Sequence, residues 1–306
     1  MALYLTVLGS SSATPTSSRH PSAFLLKSNK KKDFFLIDCG EGSQILMRRS
    51  GVHMQRISKV FISHLHGDHY FGLIGFIFTQ NLLGRKEELH IYAHKPLEKI
   101  IKLQLKTDGT VLHYPLIFHA IAAHKKKTVL YEDSGIRIST FPLRHSITTN
   151  GFLFNELGQT RLIDKTFVQK HKLSSEDIVR IKAGNDFVEK DGTVWKNDAI
   201  TTLSDDFKSF AYCSDTIYDE ETVPHIEHVD LLYHEATFMQ ELESVAAEKF
   251  HSTAQQAAQI AVLAHAKRLL IGHYSARYKD IKPLLEEART VFPETIAAFE
   301  GSTIKI

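Results

Sequence analysis

The segment His64-Leu65-His66-Gly67-Asp68-His69 constrains this chain more than any other. Three imidazoles and a carboxylate fall within six residues, directly after the apolar run Val60-Phe61-Ile62. A short apolar run reads as a buried strand, so the cluster sits where the chain leaves a sheet. Imidazole nitrogens and carboxylate oxygens are the ligands that borderline ions such as Zn²⁺ prefer, and alternate residues of an extended turn can aim at different ions. Gly67 is expected to give that turn its sharpness. One histidine in such a place is more often a hydrogen-bonded core or loop residue, but four donors at this spacing point to metal. Four ligands do not complete two ion sites, so further donors are expected at the ends of later strands, where α/β sheets gather functional loops. Three residues stand in such places: His145 after Phe141-Pro142-Leu143-Arg144, Asp215 after Ala211-Tyr212-Cys213-Ser214, and His273 after Leu269-Leu270-Ile271-Gly272.

The surrounding pattern is mixed α/β. Apolar or alternating runs at Tyr4 to Leu8, Phe34 to Ile37, Val60 to Ser63, Leu89 to Tyr92, Ile136 to Phe141, Phe210 to Cys213, Leu231 to Tyr233 and Leu269 to Ile271 predict strands. Helical spacing recurs at Ser43 to Arg49, Phe71 to Leu82, Leu97 to Lys106, Thr253 to His265 and Ile281 to Val291, so helices are expected to cover sheet faces. Ser252 or Thr253 can cap the helix after His251, with Gln256 at capping-box distance. A length of 306 residues fits one elaborated domain over 1–306. One stretch, Asn155 to Phe207, breaks the alternation with scattered charge, the turn signals Gly184-Asn185-Asp186 and Asp191-Gly192, and the only tryptophan, Trp195. It reads as an insertion projecting from the core. Within it Arg161, Lys165, Lys170, Lys172, Arg180 and Lys182 outnumber Asp164, Glu176 and Asp177, a local excess of three positive charges.

Composition mainly excludes. A hydrophobic fraction of 43% and a charged fraction of 24% leave little room for extended disorder. No apolar run approaches the roughly 20 residues that span a bilayer, and the start carries no basic leader, so no membrane partner is expected. Cys39 and Cys213 are too few for a disulfide scaffold, so both are expected to be reduced in a cytoplasmic protein. A net charge of +2 does not signal nucleic acid, which needs a concentrated basic patch.

With the signature His-x-His-x-Asp-His at His64, His66, Asp68 and His69, and the later donors in order, the chain resembles the metallo-β-lactamase superfamily over nearly its whole length. The resemblance implies a four-layer αββα sandwich. It also implies one ion held by His64, His66 and His145, a second held by Asp68, His69 and His273, and Asp215 bridging them. Two ions about 3.5–4 Å apart lower the pKa of a shared water and stabilise charge on a phosphoryl or carbonyl oxygen. Two zinc ions per subunit are expected from ligand type, with manganese and iron as alternatives. The superfamily hydrolyses lactams, thioesters and phosphodiesters, so this much leaves the substrate open.

Two later motifs narrow it. Tyr233-His234-Glu235-Ala236-Thr237 follows a buried strand, and His251-Ser252-Thr253 opens a helix. Brought together, Glu235 can orient and charge His251 so that it protonates a departing oxygen; the plain alternative is that His251 pads the helix start. These motifs, with Gly272-His273-Tyr274-Ser275-Ala276-Arg277-Tyr278 and the early Asp38-Cys39-Gly40-Glu41-Gly42, resemble the ribonuclease Z family. That resemblance implies a zinc-dependent endoribonuclease removing the 3′ trailer from precursor tRNA, with a 3′-hydroxyl left on the tRNA and a 5′-phosphate on the trailer. It implies Asp68, His251 and Glu235 as catalytic residues, a tRNA-binding arm at 155–207, and a homodimer in which one subunit's arm presents tRNA to the other's site. Arg277 is expected to hold a phosphate through paired hydrogen bonds, with a surface salt bridge as its alternative. Arg19 in the N-terminal loop and Lys165, Lys170 and Lys172 on the arm are the remaining candidate RNA contacts. Two rival readings stay open: a phosphodiesterase for small or cyclic substrates, and an RNA-binding protein with degenerate ion sites. Three departures from the family pattern stand out. Ser175-Glu176 replaces the arm's usual Gly-Pro, Pro15-Thr16-Ser17-Ser18-Arg19-His20 replaces Pro-x-Lys-x-Arg-Asn, and Cys213-Ser214-Asp215-Thr216 replaces Ser-Gly-Asp-Thr.

Overall fold

In the first strand Leu3, Leu5 and Val7 are fully buried while Tyr4 and Thr6 between them are not, the two-residue period of a strand with one face on a core. The same logic repeats through a computed structural model that describes residues 3–28, 33–123, 126–158, 160–189, 191–204 and 207–306. The first half runs β1 (Leu3–Gly9), β2 (Ala23–Ser28), β3 (Phe34–Ile37), α1 (Ser43–Arg49), β4 (Ile57–Phe61), α2 (Gly67–Leu82), β5 (Leu89–His94), α3 (Pro96–Thr107) and β6 (Leu116–Ile121). After β7 (Thr128–Glu132), β8 (Ile136–Leu143) and β9 (Thr149–Glu156) come the elements of the insertion: β10 (Thr160–Ile163), α4 (Lys165–Lys170), α5 (Ser175–Lys182), β11 (Phe187–Val188), β12 (Val194–Trp195), α6 (Asn197–Ile200) and β13 (Thr201–Ser204). The chain closes with β14 (Ser209–Cys213), α7 (Val223–Ile226), β15 (Leu231–Glu235), α8 (Glu243–Glu248), α9 (Ala254–Leu263), β16 (Leu269–Gly272), α10 (Lys282–Val291), β17 (Thr295–Ala297) and β18 (Thr303–Lys305).

Two seven-stranded sheets form, ordered β18-β1-β2-β3-β4-β5-β6 and β17-β16-β15-β14-β9-β8-β7. Their inner faces meet in an aromatic-rich core that includes Phe24, Phe35 and Phe61 from the first sheet and Phe152, Phe154, Tyr212 and Tyr233 from the second. The outer face of the first sheet buries Leu46, Phe76 and Leu97 from α1, α2 and α3. That of the second buries Ala257, Ala261 and Leu284 from α9 and α10. The result is the expected helix-sheet-sheet-helix sandwich, because every sheet face carries apolar side chains that need a cover. Thr253 caps α9 and Gln256 reciprocates, with bonds of 3.1 and 3.0 Å, a box whose cap is worth about 1 kcal/mol.

β2, β6, β7, β9, β17 and β18 were not among the expected strands. Of these β6, β7, β17 and β18 are edge or next-to-edge strands, too short or too exposed to give a clean apolar run. The boundary of the insertion also shifts. Asn155 and Glu156 belong to β9, where Asn155 pairs with Arg137 on one side and Ser209 on the other, so the ladder holds them in the main sheet. Between β9 and β14, β10 pairs with β13 and β11 with β12, around a small core of Phe167, Ile181 and Ile200 against which Phe187 and Trp195 pack. Gln159, Lys190, Asp205 and Asp206 of this stretch lie outside the described residues. At Ser175-Glu176, where the family pattern has Gly-Pro, α5 begins under a capping box of Ser174 and Asp177. Both cysteines are free and buried, and burial pushes the Cys39 thiol up to about 12. Among the described residues no helix is long and apolar enough to cross a membrane.

Candidate metal centre

β3, β4, β8, β14, β15 and β16 all end at one edge of the sandwich, and the expected donors lie just past the ends of β4, β8, β14 and β16. His64 follows β4, where Val60, Phe61 and Ile62 are fully buried and fix the strand's exit. Gly67 is not a sharp turn. It is the first residue of α2, and its lack of a side chain serves a different need: a Cβ there would come within 2.1 Å of the Phe71 ring. The cluster therefore straddles an extended segment ending at His66 and the first helical turn carrying Asp68 and His69.

Two groups of donors result. In the first, His64 Nε2 lies 3.1 Å from His66 Nδ1, which lies 3.2 Å from His145 Nε2. In the second, Asp68 Oδ2 lies 3.4 Å from His69 Nε2 and 3.5 Å from His273 Nε2. Asp215 joins both. Its Oδ1 is 3.3 Å from His69 and 3.2 Å from His273, while its Oδ2 is 3.7 Å from His64 and 3.8 Å from His145. Within each group all the donor atoms fall within 4.8 Å of one another. The fit to cations has an independent sign: His69 Nε2 and His273 Nε2 are buried without a hydrogen-bond partner, a costly state that an ion relieves.

The opposite edges of the rings are held. Ser63 Oγ lies 3.0 Å from His64 Nδ1, Asp38 Oδ2 2.8 Å from His69 Nδ1, and Thr237 Oγ1 2.8 Å from His273 Nδ1. His145 donates from Nδ1 to the Phe250 carbonyl at 2.8 Å. Such partners fix ring orientation and leave the other nitrogen free to ligate. Burial pushes His64, His66 and His145 below their ordinary range, which keeps them neutral as ligands must be. Burial works the other way on Asp215, but the charges of His273 and His69 outweigh it and hold the carboxyl well below its usual range.

Glu235 and His251 do meet. His251 Nδ1 lies 2.7 Å from Glu235 Oε1, and the carboxylate also accepts from the backbone N–H groups of Thr216 and Thr237, each at 3.1 Å, and from the Thr237 hydroxyl at 2.6 Å. Burial alone would lower His251, yet the Glu235 charge and hydrogen bond raise it to about 9. His251 lines a cleft of about 460 Å³ together with His66, Asp68, His145, Asp215 and His273.

The candidate RNA contacts are scattered. Arg19 Nη2 donates to the carbonyls of Ser275 at 3.3 Å and Tyr278 at 2.7 Å, tying the N-terminal loop to the segment after β16. These bonds use one nitrogen of the guanidinium, and its Nε is buried without a hydrogen-bond partner. Arg277 is exposed, and its guanidinium stands 5.0 Å from the Phe238 ring, which is 6.2 Å from the His251 ring. Its salt-bridge alternative is not seen among the described residues. Lys165, Lys170 and Lys172 are exposed on or beside α4.

Sequence reasoning missed the role of Asp38, quoting it only within a family motif. It is fully buried with φ of 53°, and besides His69 it accepts from Ser63 N at 2.8 Å, Ser63 Oγ at 2.9 Å and Tyr212 Oη at 2.7 Å. The signal was present, since Asp38 directly follows the apolar run Phe34 to Ile37, the pattern that singled out His145, Asp215 and His273. Phe71 and Lys249, which also line the cleft, carried no such signal.

Comparison with known proteins agrees with this geometry. The family model described as Anti-Pycsar protein Apyc1 matches residues 3–183. The chain is 44% identical to a protein named ribonuclease Z from Bacteroides thetaiotaomicron, over 99% of this chain and 95% of the relative. It is 43% identical to one of the same name from Porphyromonas gingivalis, over 98% of each. Among solved structures, human tRNase Z, short form, superposes with a TM-score of 0.71 at 25% identity over 98% of both chains. The metallo-β-lactamase fold protein YhfI from Bacillus subtilis superposes with a TM-score of 0.70 at 20% identity over the whole of both, a likeness of fold. By whole-length similarity and by fold, the chain belongs to the ribonuclease Z family of metallo-β-lactamase fold proteins.

Proposed function

We propose that this protein is a metal-dependent endoribonuclease that cuts precursor tRNA at its 3′ side, releasing the trailer with a 5′-phosphate and leaving a 3′-hydroxyl on the tRNA. The observation that carries the reading is the junction of two donor groups bridged by Asp215 with the Glu235–His251 pair in one cleft. His64, His66, His145 and Asp215 would hold one ion, and Asp68, His69, His273 and Asp215 the other; the nitrogen and oxygen donor set favours zinc, two per subunit. When bound, the ions acidify water and offset charge that develops on the phosphoryl oxygens. Asp68 orients the attacking water and accepts its proton. His251 donates a proton to the departing 3′-oxygen, which otherwise leaves poorly as an alkoxide. Glu235 keeps that imidazole charged and pointed at the leaving atom.

The arm, between β9 and β14, carries Lys165, Lys170 and Lys172 as contacts to tRNA phosphates remote from the cut, with Arg277 nearer to it. A homodimer in the cytoplasm, each arm serving the other subunit's cleft, belongs to the same reading. Incubating the protein with a precursor tRNA, with and without chelator and beside His66→Ala, tests the activity. Cleavage is expected only for the metal-loaded wild type, and uncut precursor under every metal condition sinks the proposal. Metal analysis checks the ion and its count. Gel filtration checks the dimer, and a mixture of arm-deleted and His66→Ala subunits should regain activity if the arm acts across it.

A further inference from the structure

Of the residues that line the cleft, Lys249 is the one lysine or arginine. No carboxylate among the described residues pairs with its ammonium, although Asp68 and Asp215 line the same cleft. Divalent ions would engage those two carboxylates, which leaves the ammonium to meet an anion that arrives with the substrate.

Its backbone is pinned. Lys249 directly follows α8, and the N–H groups of Lys249, Phe250 and His251 are bonded to the carbonyls of Val245, Ala247 and Ala246 at 3.1, 3.2 and 2.8 Å. Phe250 is held at φ of 56°, a left-handed conformation that bulky residues avoid, and its carbonyl anchors His145. The strained residue thus sits between two that both face the cleft: His251, held by Glu235, and Lys249.

We propose that Lys249 is a substrate-binding residue that takes the phosphate on the 5′ side of the cleaved linkage. The inference rests on the tRNA reading above. His251 serves the leaving 3′-oxygen, which belongs to the nucleoside on the 5′ side of the cut. Lys249 lies two residues away on the same pinned segment, and the next anion on that side is the phosphate joined to that nucleoside's 5′-oxygen. A lysine reaches it as a point charge on a flexible stem.

The measurement is the affinity of the metal-loaded protein for mature tRNA, which keeps that phosphate, and for the trailer oligonucleotide, which does not. Lys249→Ala should weaken tRNA binding about tenfold, the scale of one charge-assisted contact, and flatten its salt dependence by about one unit of slope. Lys249→Arg should recover most of the loss, and trailer binding should not move. Replacing the 5′-side phosphate with an uncharged methylphosphonate should weaken wild type to the level of Lys249→Ala and cost the variant nothing further. Unchanged tRNA affinity in Lys249→Ala overturns the proposal. So does a defect that persists beside the methylphosphonate, or one that comes with lost metal or a lower melting temperature. Wild type that leaves precursor tRNA uncut defeats the tRNA reading itself, whereas an active wild type with an indifferent Lys249 defeats only this subsite.

Discussion

Asp38 and Glu235 are fully buried and each meets four hydrogen-bond donors, whereas Lys165, Lys170 and Lys172 stand in solvent on an insertion whose described residues include only three buried apolar side chains. The two regions meet different demands. Cation binding and proton transfer need donor atoms held to fractions of an ångström, and the rings of His64, His69, His145, His251 and His273 are each gripped from behind. Attraction to a polyanion needs charges displayed at a distance, and long side chains in water meet that without fixed geometry. With so small a core the insertion is expected to open locally at lower free energy than the sheets.

The contrast can be broken at several points. Removing the bridging carboxylate in Asp215→Ala should cost roughly a thousandfold or more in precursor cleavage and release metal from both groups, as assayed by turnover and metal analysis. Retention of two ions would show that the groups are independent. His251→Ala should lower kcat by roughly 10²–10⁴ with metal content intact, the range for a lost general acid. If cleavage survives, His251 is only helix padding.

Asp38→Asn should weaken metal affinity by about 10–100-fold through loss of its grip on His69, read by competitive chelation. An unaltered affinity would mean that the cluster does not depend on its supporting bonds. Replacing Lys165, Lys170 and Lys172 together with alanine should raise KM for precursor tRNA and reduce the salt slope by about two to three units, leaving metal binding as it was. An unchanged slope would place the tRNA contacts elsewhere. Ile181→Ala should loosen the insertion by about 2–4 kcal/mol, seen as faster hydrogen exchange within 160–204 while the two sheets stay protected. Equal loosening of the sheets would show that the insertion is not a separate cooperative unit.

The site was unusually legible because its donors obey a local rule that survives in one dimension: a polar ligand directly after an apolar strand. His64, His145, Asp215 and His273 all follow it, and so does Asp38, whose role went unread because a carboxylate beside glycines is also an ordinary turn signal. Arg19 was read from the family pattern of its loop, and the return of residues 275–278 beside it, which its guanidinium ties to that loop, left no local signal. Gly67 was read for conformational freedom, but its need for space against Phe71 depends on a ring one helical turn away.

From the sequence alone came the mixed α/β pattern and the order of the candidate donors, because burial period and ligand chemistry are properties of neighbours along the chain, while the two-sheet sandwich came from the family resemblance. The two donor groups, the Asp215 bridge and the Glu235–His251 pair were implied by resemblance; the tertiary structure supplied their distances and the place of Lys249 in the cleft wall. Those distances join strand ends that lie far apart in sequence. They exist only once both sheets have packed and brought the ends of their strands to one edge.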